Sequence, residues 1–168
     1  MNKRGVDMRQ PENAELRNNI NAFLEEGNDF LNSSFDDLDI TDYKYDISVA
    51  VEALGLDEEL VYQLIEDYII QILKSKVSFY EYIKELQLAK IDNKPLNYEN
   101  LRNLAHKNLG VARNLHIEDA QKLLTSLMTE EDFDYLRLCV KALEATSAKL
   151  IPLCAYETIK LIEVKNSL

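Results

Sequence analysis

Leu101–Leu115 reads Leu-Arg-Asn-Leu-Ala-His-Lys-Asn-Leu-Gly-Val-Ala-Arg-Asn-Leu and sets one histidine apart from an otherwise ordinary amphipathic helix. At about 100° per residue, Leu101, Leu104, Ala105, Asn108, Ala112 and Leu115 fall on one stripe, with Val111 at its margin. His106 then points roughly 150° away from the middle of that stripe, toward solvent. Arg102 stands four residues before it, Gly110 four after and Arg113 seven after, so all three share its face. An accessible imidazole beside guanidiniums, with no side chain one turn on, is the setting a phosphoryl-accepting histidine needs.

Two further features mark the same segment. Asn100 to Ile117 is the longest acid-free run in a chain with 30 acidic residues, and it carries Arg102, Lys107 and Arg113. A glycine inside a helix costs about 1 kcal/mol relative to alanine, yet the helical phase continues past Gly110. Plainer readings stay open from the residues alone: His106 as a solvated surface residue, Gly110 as a helix end. His116 lies near the stripe's edge and near the helix end, which suits a structural or capping role.

Composition narrows the rest. The chain has 168 residues, 46% of them hydrophobic, enough for one domain with a sizeable core. Four glycines and three prolines favour long helices over a turn-rich β fold. A net charge of −11 argues against nucleic acid or an anionic membrane surface as the main partner. No apolar run approaches the roughly 20 residues of a membrane span, and Met1–Gln10 lacks a signal peptide's apolar region, so a cytoplasmic location is expected. Cys139 and Cys154 read as small hydrophobes of helices, and neither a disulfide framework nor a metal site is expected. There is no Gly-rich phosphate loop and no Ser/His/Asp arrangement.

The elements that must position His106 follow from periodicity and caps. Residues 1–10 read as a disordered leader. Residues 11–44 read as a helix opened by Pro11 and running toward Gly27 or a little beyond, then an acidic linker with Asp36, Asp37, Asp39 and Asp42. Ile47, Ala50, Val51 and Leu54 make a short helix ended by Gly55, and Asp57 caps a long one reaching Lys90. That helix spans about 50 Å, so a bend or overhang is expected near Lys74–Ser78. Asn97 can cap the His106 helix, and Ile117–Met128 is another short helix. Thr129 with Asp132 resembles a capping box for a helix to about Leu150, and Pro152 opens a terminal one. The expected fold is all-α: an antiparallel four-helix bundle over residues 45–150, with an additional N-terminal helix and a C-terminal helical extension over 151–168.

Ala105-His106-x-x-x-Gly110-x-Ala112-x-Asn114-Leu115 resembles the active helix of histidine-containing phosphotransfer domains, and the order of helices over Tyr45–Leu150 follows that family. The resemblance implies His106 as phosphoacceptor and Gly110 as the small residue that lets a receiver domain bring its aspartyl phosphate close. Three positions depart from the family: its leucine is Asn108, its lysine is Leu109, and its glycine near the motif's end is His116. Arg102 and Arg113 are expected to replace the missing lysine, and Lys107 projects in another direction. A docking partner would meet Gly110, Leu109, Asn103 and Asn114. The implied function is a phosphocarrier of a bacterial-type two-component relay that takes phosphate from a receiver aspartate and passes it to another receiver. Response-regulator receivers and a hybrid histidine kinase are the implied partners. The chain itself would carry no nucleotide, metal or other cofactor and would not be an autokinase. The alternative is a helical adaptor that docks a signalling protein without taking phosphate. A third reading is an oligomerisation module, with dimer contacts through the terminal helices of an otherwise monomeric chain.

Overall fold

A computed structural model describes residues 13–35 and 40–167, and these form seven α-helices with no strand among them. The leader, Pro11, and Asp36, Asp37 and Asp39 of the acidic stretch lie outside the described residues. Helix α1 (Ala14–Ser34) begins at Asn13, whose side-chain oxygen accepts the Glu15 and Leu16 N–H groups. It runs seven residues past Gly27 instead of ending near it, because Leu31 continues its buried face. Helix α2 (Ile47–Leu54) is capped by Asp46 and closed by Gly55 at φ 66°, the left-handed conformation that glycine adopts without strain.

Helix α3 (Glu58–Ile91) starts at Asp57, which accepts the Leu60 N–H, and continues unbroken for 34 residues. The helix runs through the expected bend region, where Ser75 and Phe79 stay buried. Helix α4 (Glu99–Asn114) carries His106, and α5 (Glu118–Thr129) follows after a two-residue turn and Ile117. Thr129 does not box the next helix. It is the last residue of α5, with its hydroxyl donating to the Thr125 carbonyl. Asp132 alone caps α6 (Phe133–Leu150), accepting the Asp134 and Tyr135 N–H groups. Pro152 then occupies the first turn of α7 (Pro152–Asn166), where its missing N–H costs nothing.

Packing follows the apolar stripes. Helix α3 lies against α4, α4 against α5, α5 against α6, and α6 returns to α3, so these four close a ring around a shared core. Helix α2 packs on α3. The terminal helices extend that core: α1 lies on α6 and α7, and α7 on α3 and α6. Leu31, Phe35 and Ile40 are fully buried, so the chain around the acidic stretch is anchored at both sides of it. Among the described residues, no helix is long and apolar enough to cross a membrane.

Candidate functional site

Helix α4 buries Leu101, Ala105, Asn108, Leu109 and Ala112, and this sets which way every other side chain on it points. His106, Asn103, Lys107, Gly110, Arg113 and Asn114 are exposed. His106, Gly110 and Arg113 therefore line one outward stripe. Gly110 sits inside the helix with nothing within 4 Å of the position a Cβ would take, so its lack of a side chain relieves no internal contact. The openness there is toward solvent. Asn97 accepts the Glu99 N–H at 2.9 Å just before the helix starts.

The rotation of α4 is pinned by a buried amide. Asn108 is 0% exposed, and its Nδ2 donates to Ser75 Oγ (3.2 Å) and to the Leu104 carbonyl (3.0 Å). Gln71 Nε2 donates to Asn108 Oδ1 at 3.2 Å. A buried amide with its partners in place holds one register of α4 against α3, because slipping would leave it unpaired. The leucine-to-asparagine departure at this position is thus a cross-helix bond, and it keeps His106 on the outer side. Periodicity alone does not reveal Gln71 and Ser75 as its partners. Their signal is a polar pair four residues apart interrupting the apolar stripe of α3.

Two residues expected at the site are elsewhere. Leu109 is 2% exposed and belongs to the core, so it offers a docking partner nothing. Arg102 turns away from His106: its Nη1 donates to the carbonyls of Leu127 (2.7 Å) and Glu130 (2.9 Å), and its guanidinium lies 4.5 Å over the Tyr98 ring. It serves the carboxyl end of α5, where unpaired carbonyls and the helix dipole favour a cation. Lys107 leans to the flank facing α3 and lines a groove with Lys74 and Ser75. Of the expected cations, Arg113 is the one exposed on the stripe of His106.

The end of α4 explains the third departure. His116 takes φ 59°, its N–H donates to the Arg113 carbonyl (3.1 Å), and the Ile117 N–H donates to the Ala112 carbonyl (2.9 Å). That pair of bonds is the Schellman closure, whose left-handed position is usually glycine. The turn is clamped from the segment before α2. The Tyr45 hydroxyl donates to the Leu115 carbonyl (2.7 Å), and the Tyr43 hydroxyl donates to the His116 carbonyl (3.1 Å) while accepting the Glu118 N–H (3.3 Å). Burial raises both tyrosine hydroxyls above their ordinary pKa, so they stay protonated donors. Sequence reading missed both tyrosines, which lie about 70 residues from their acceptors. The arrangement holds an imidazole rigidly outward on a well-packed helix, with open space one turn on and a cation two turns on. Compared with protein-family models, with curated proteins and with solved structures, the chain matches none of them.

Proposed function

We propose that this chain is a histidine phosphotransfer carrier built on an antiparallel four-helix bundle of α3 to α6. The observation that carries the reading is the outward His106 with open space at Gly110 on the same stripe of α4. A neutral imidazole nitrogen would form an N–P bond to the phosphoryl group as the bond to a receiver's aspartate carboxylate breaks. The phosphoryl group could then leave to a second receiver by the reverse step. Arg113 stands two turns from His106 and supplies the charge-assisted contact to a phosphoryl oxygen. Cytoplasmic two-component signalling, with response-regulator receivers or a hybrid kinase as partners, is the setting this chemistry fits.

The test is incubation of the full chain with phosphorylated receiver domains. Base-stable, acid-labile phosphate is expected on His106 and not on His116, and it should vanish in His106→Gln. A specific observation favours a second reading, the docking-only adaptor. The family's lysine position is the buried Leu109, and Arg102 is bonded to α5, so fewer cations serve the imidazole than the motif implies. If a receiver binds wild type and His106→Gln equally well and neither takes phosphate, the adaptor reading replaces the carrier.

A further inference from the structure

Helices α3 and α4 leave a groove of about 380 Å³ beside the buried asparagine, lined on one side by Asp67, Ile70, Lys74 and Ser78 and on the other by Lys107. Lys74 and Lys107 come from different helices, face the same space, and have no ion-pair partner among the described residues. In a chain with 30 acidic and 19 basic residues, two lysines from different helices line this one groove. An anion seated between two ammonium groups is attracted by both. Asp67 does not do this. It lies two turns before Lys74, about 10 Å along the helix, at the other end of the groove.

Hydrogen bonding supplies the second requirement. Ser75 accepts from Asn108 Nδ2, which leaves its own O–H proton to donate, and Ser78 adds a hydroxyl one turn on. Gln71 gives one of its two amide N–H groups to Asn108, and its side-chain oxygen is an acceptor on the wall. The groove therefore has a cationic, donor-rich end at Lys74, Ser75 and Lys107. Its other end, at Asp67, accepts hydrogen bonds, and Ile70 lies between the two.

We propose that this groove binds a small molecule by its oxyanion end, a phosphate or carboxylate held by Lys74, Lys107 and the Ser75 hydroxyl. The remainder of the ligand lies along Ile70 toward Asp67. The site is distinct from the outward stripe of His106 and requires no phosphotransfer.

The test is titration of the ¹⁵N-labelled full chain with inorganic phosphate, and separately with acetate, at ionic strength held constant by chloride. Saturable amide shifts centred on Lys74, Ser75, Ser78 and Lys107 are expected. Affinity should fall about tenfold or more in K74A/K107A, and about threefold in Ser75→Ala. Lys94→Ala, an exposed cation on the α3–α4 loop, should titrate as wild type. Saturation by phosphate alone assigns a phosphate ligand, and saturation by acetate alone a carboxylate. Both lysines are exposed, so circular dichroism of K74A/K107A should match wild type; the single variant Lys107→Ala serves if it does not. Absence of saturable shifts with either anion, or an unchanged titration in the lysine variants, overturns the proposal.

Discussion

His116 holds the turn after α4 in a conformation that suits glycine better than histidine. Its Cβ crowds the backbone at φ 59°, which costs about 1 kcal/mol, and the two closure bonds and the tyrosine clamp hold it there. His116→Gly should therefore raise stability by about 0.5–1 kcal/mol, read as a higher urea midpoint at unchanged slope. A lower midpoint would mean that the imidazole makes a contact worth more than the strain. Arg102 and Arg113 divide two roles that helix geometry alone assigns to both. Arg102→Ala removes two charged hydrogen bonds to carbonyls and the stack on Tyr98, so it should destabilise by about 1–2 kcal/mol. Arg113→Ala, exposed on α4, should stay within about 0.5 kcal/mol of wild type, and under the proposed carrier function it should slow phosphate acceptance more than Lys107→Ala does. Equal urea midpoints for the two arginine variants would count against the role given to Arg102. The diversion of Arg102 is not legible in its own helix. Its acceptors lie 25 and 28 residues away, beyond the reach of any i, i+4 reasoning.

At the scale of elements, the two glycines inside helices separate packing from openness. A Cβ at Gly27 meets Ala145 Cβ at 3.3 Å, tighter than ordinary contact, because α1 crosses α6 there. Gly110 has the same backbone type and nothing near it. Gly27→Leu should lower stability by about 1–3 kcal/mol by forcing α1 off α6, and Gly110→Ala should raise it by somewhat under 1 kcal/mol through helix propensity. Urea unfolding of both variants is the check, and a stabilised Gly27→Leu would mean that α1 is free to move aside. This close approach also explains why Gly27 misleads a reader of sequence. As a helix breaker it suggests an end, whereas its missing side chain lets one helix lie on another. Helices α2 to α7 were legible because capping residues and apolar spacing are local: Asp57, Gly55 and Pro152 sit where their chemistry requires. The docking of α1 on α6 was not, since an apolar stripe does not name the surface that covers it. Asp132 was legible as part of a cap, but Thr129 was misread, because a hydroxyl three residues before an acid also fits the last turn of the preceding helix.

At the scale of the whole molecule, one buried acid acts on groups from several segments. Asp119, in the first turn of α5, is 3% exposed. Burial raises its carboxyl to about 6, against the opposing pull of the Ala120 N–H, which donates to it at 2.7 Å, and of Lys149 and Lys122. Lys149 of α6 also donates to the carbonyls of Ile40 and Thr41, so one ammonium links the segment before α2 to the region of this carboxylate. Tyr68 of α3 and Tyr43 feel the same charge, which adds to the effect of burial in keeping their hydroxyls protonated. An unfolded aspartate titrates near 3.8, so between that value and about 6 the folded chain binds more protons than the unfolded one. The contribution of Asp119 to stability must then fall as pH rises through this window, and its full cost, about 3 kcal/mol, is felt above it. Asp119→Asn keeps an oxygen to accept the Ala120 N–H and carries no charge at any pH. Urea midpoints at pH 4, 5, 6 and 7 should show the variant level with wild type at pH 4 and progressively more stable from there to pH 7. The other carboxylates titrate in both proteins, so the difference between the two curves isolates Asp119. Parallel curves would mean that Lys149 and Lys122 fully offset its desolvation, and that Asp119 is a paired charge and not a buried liability.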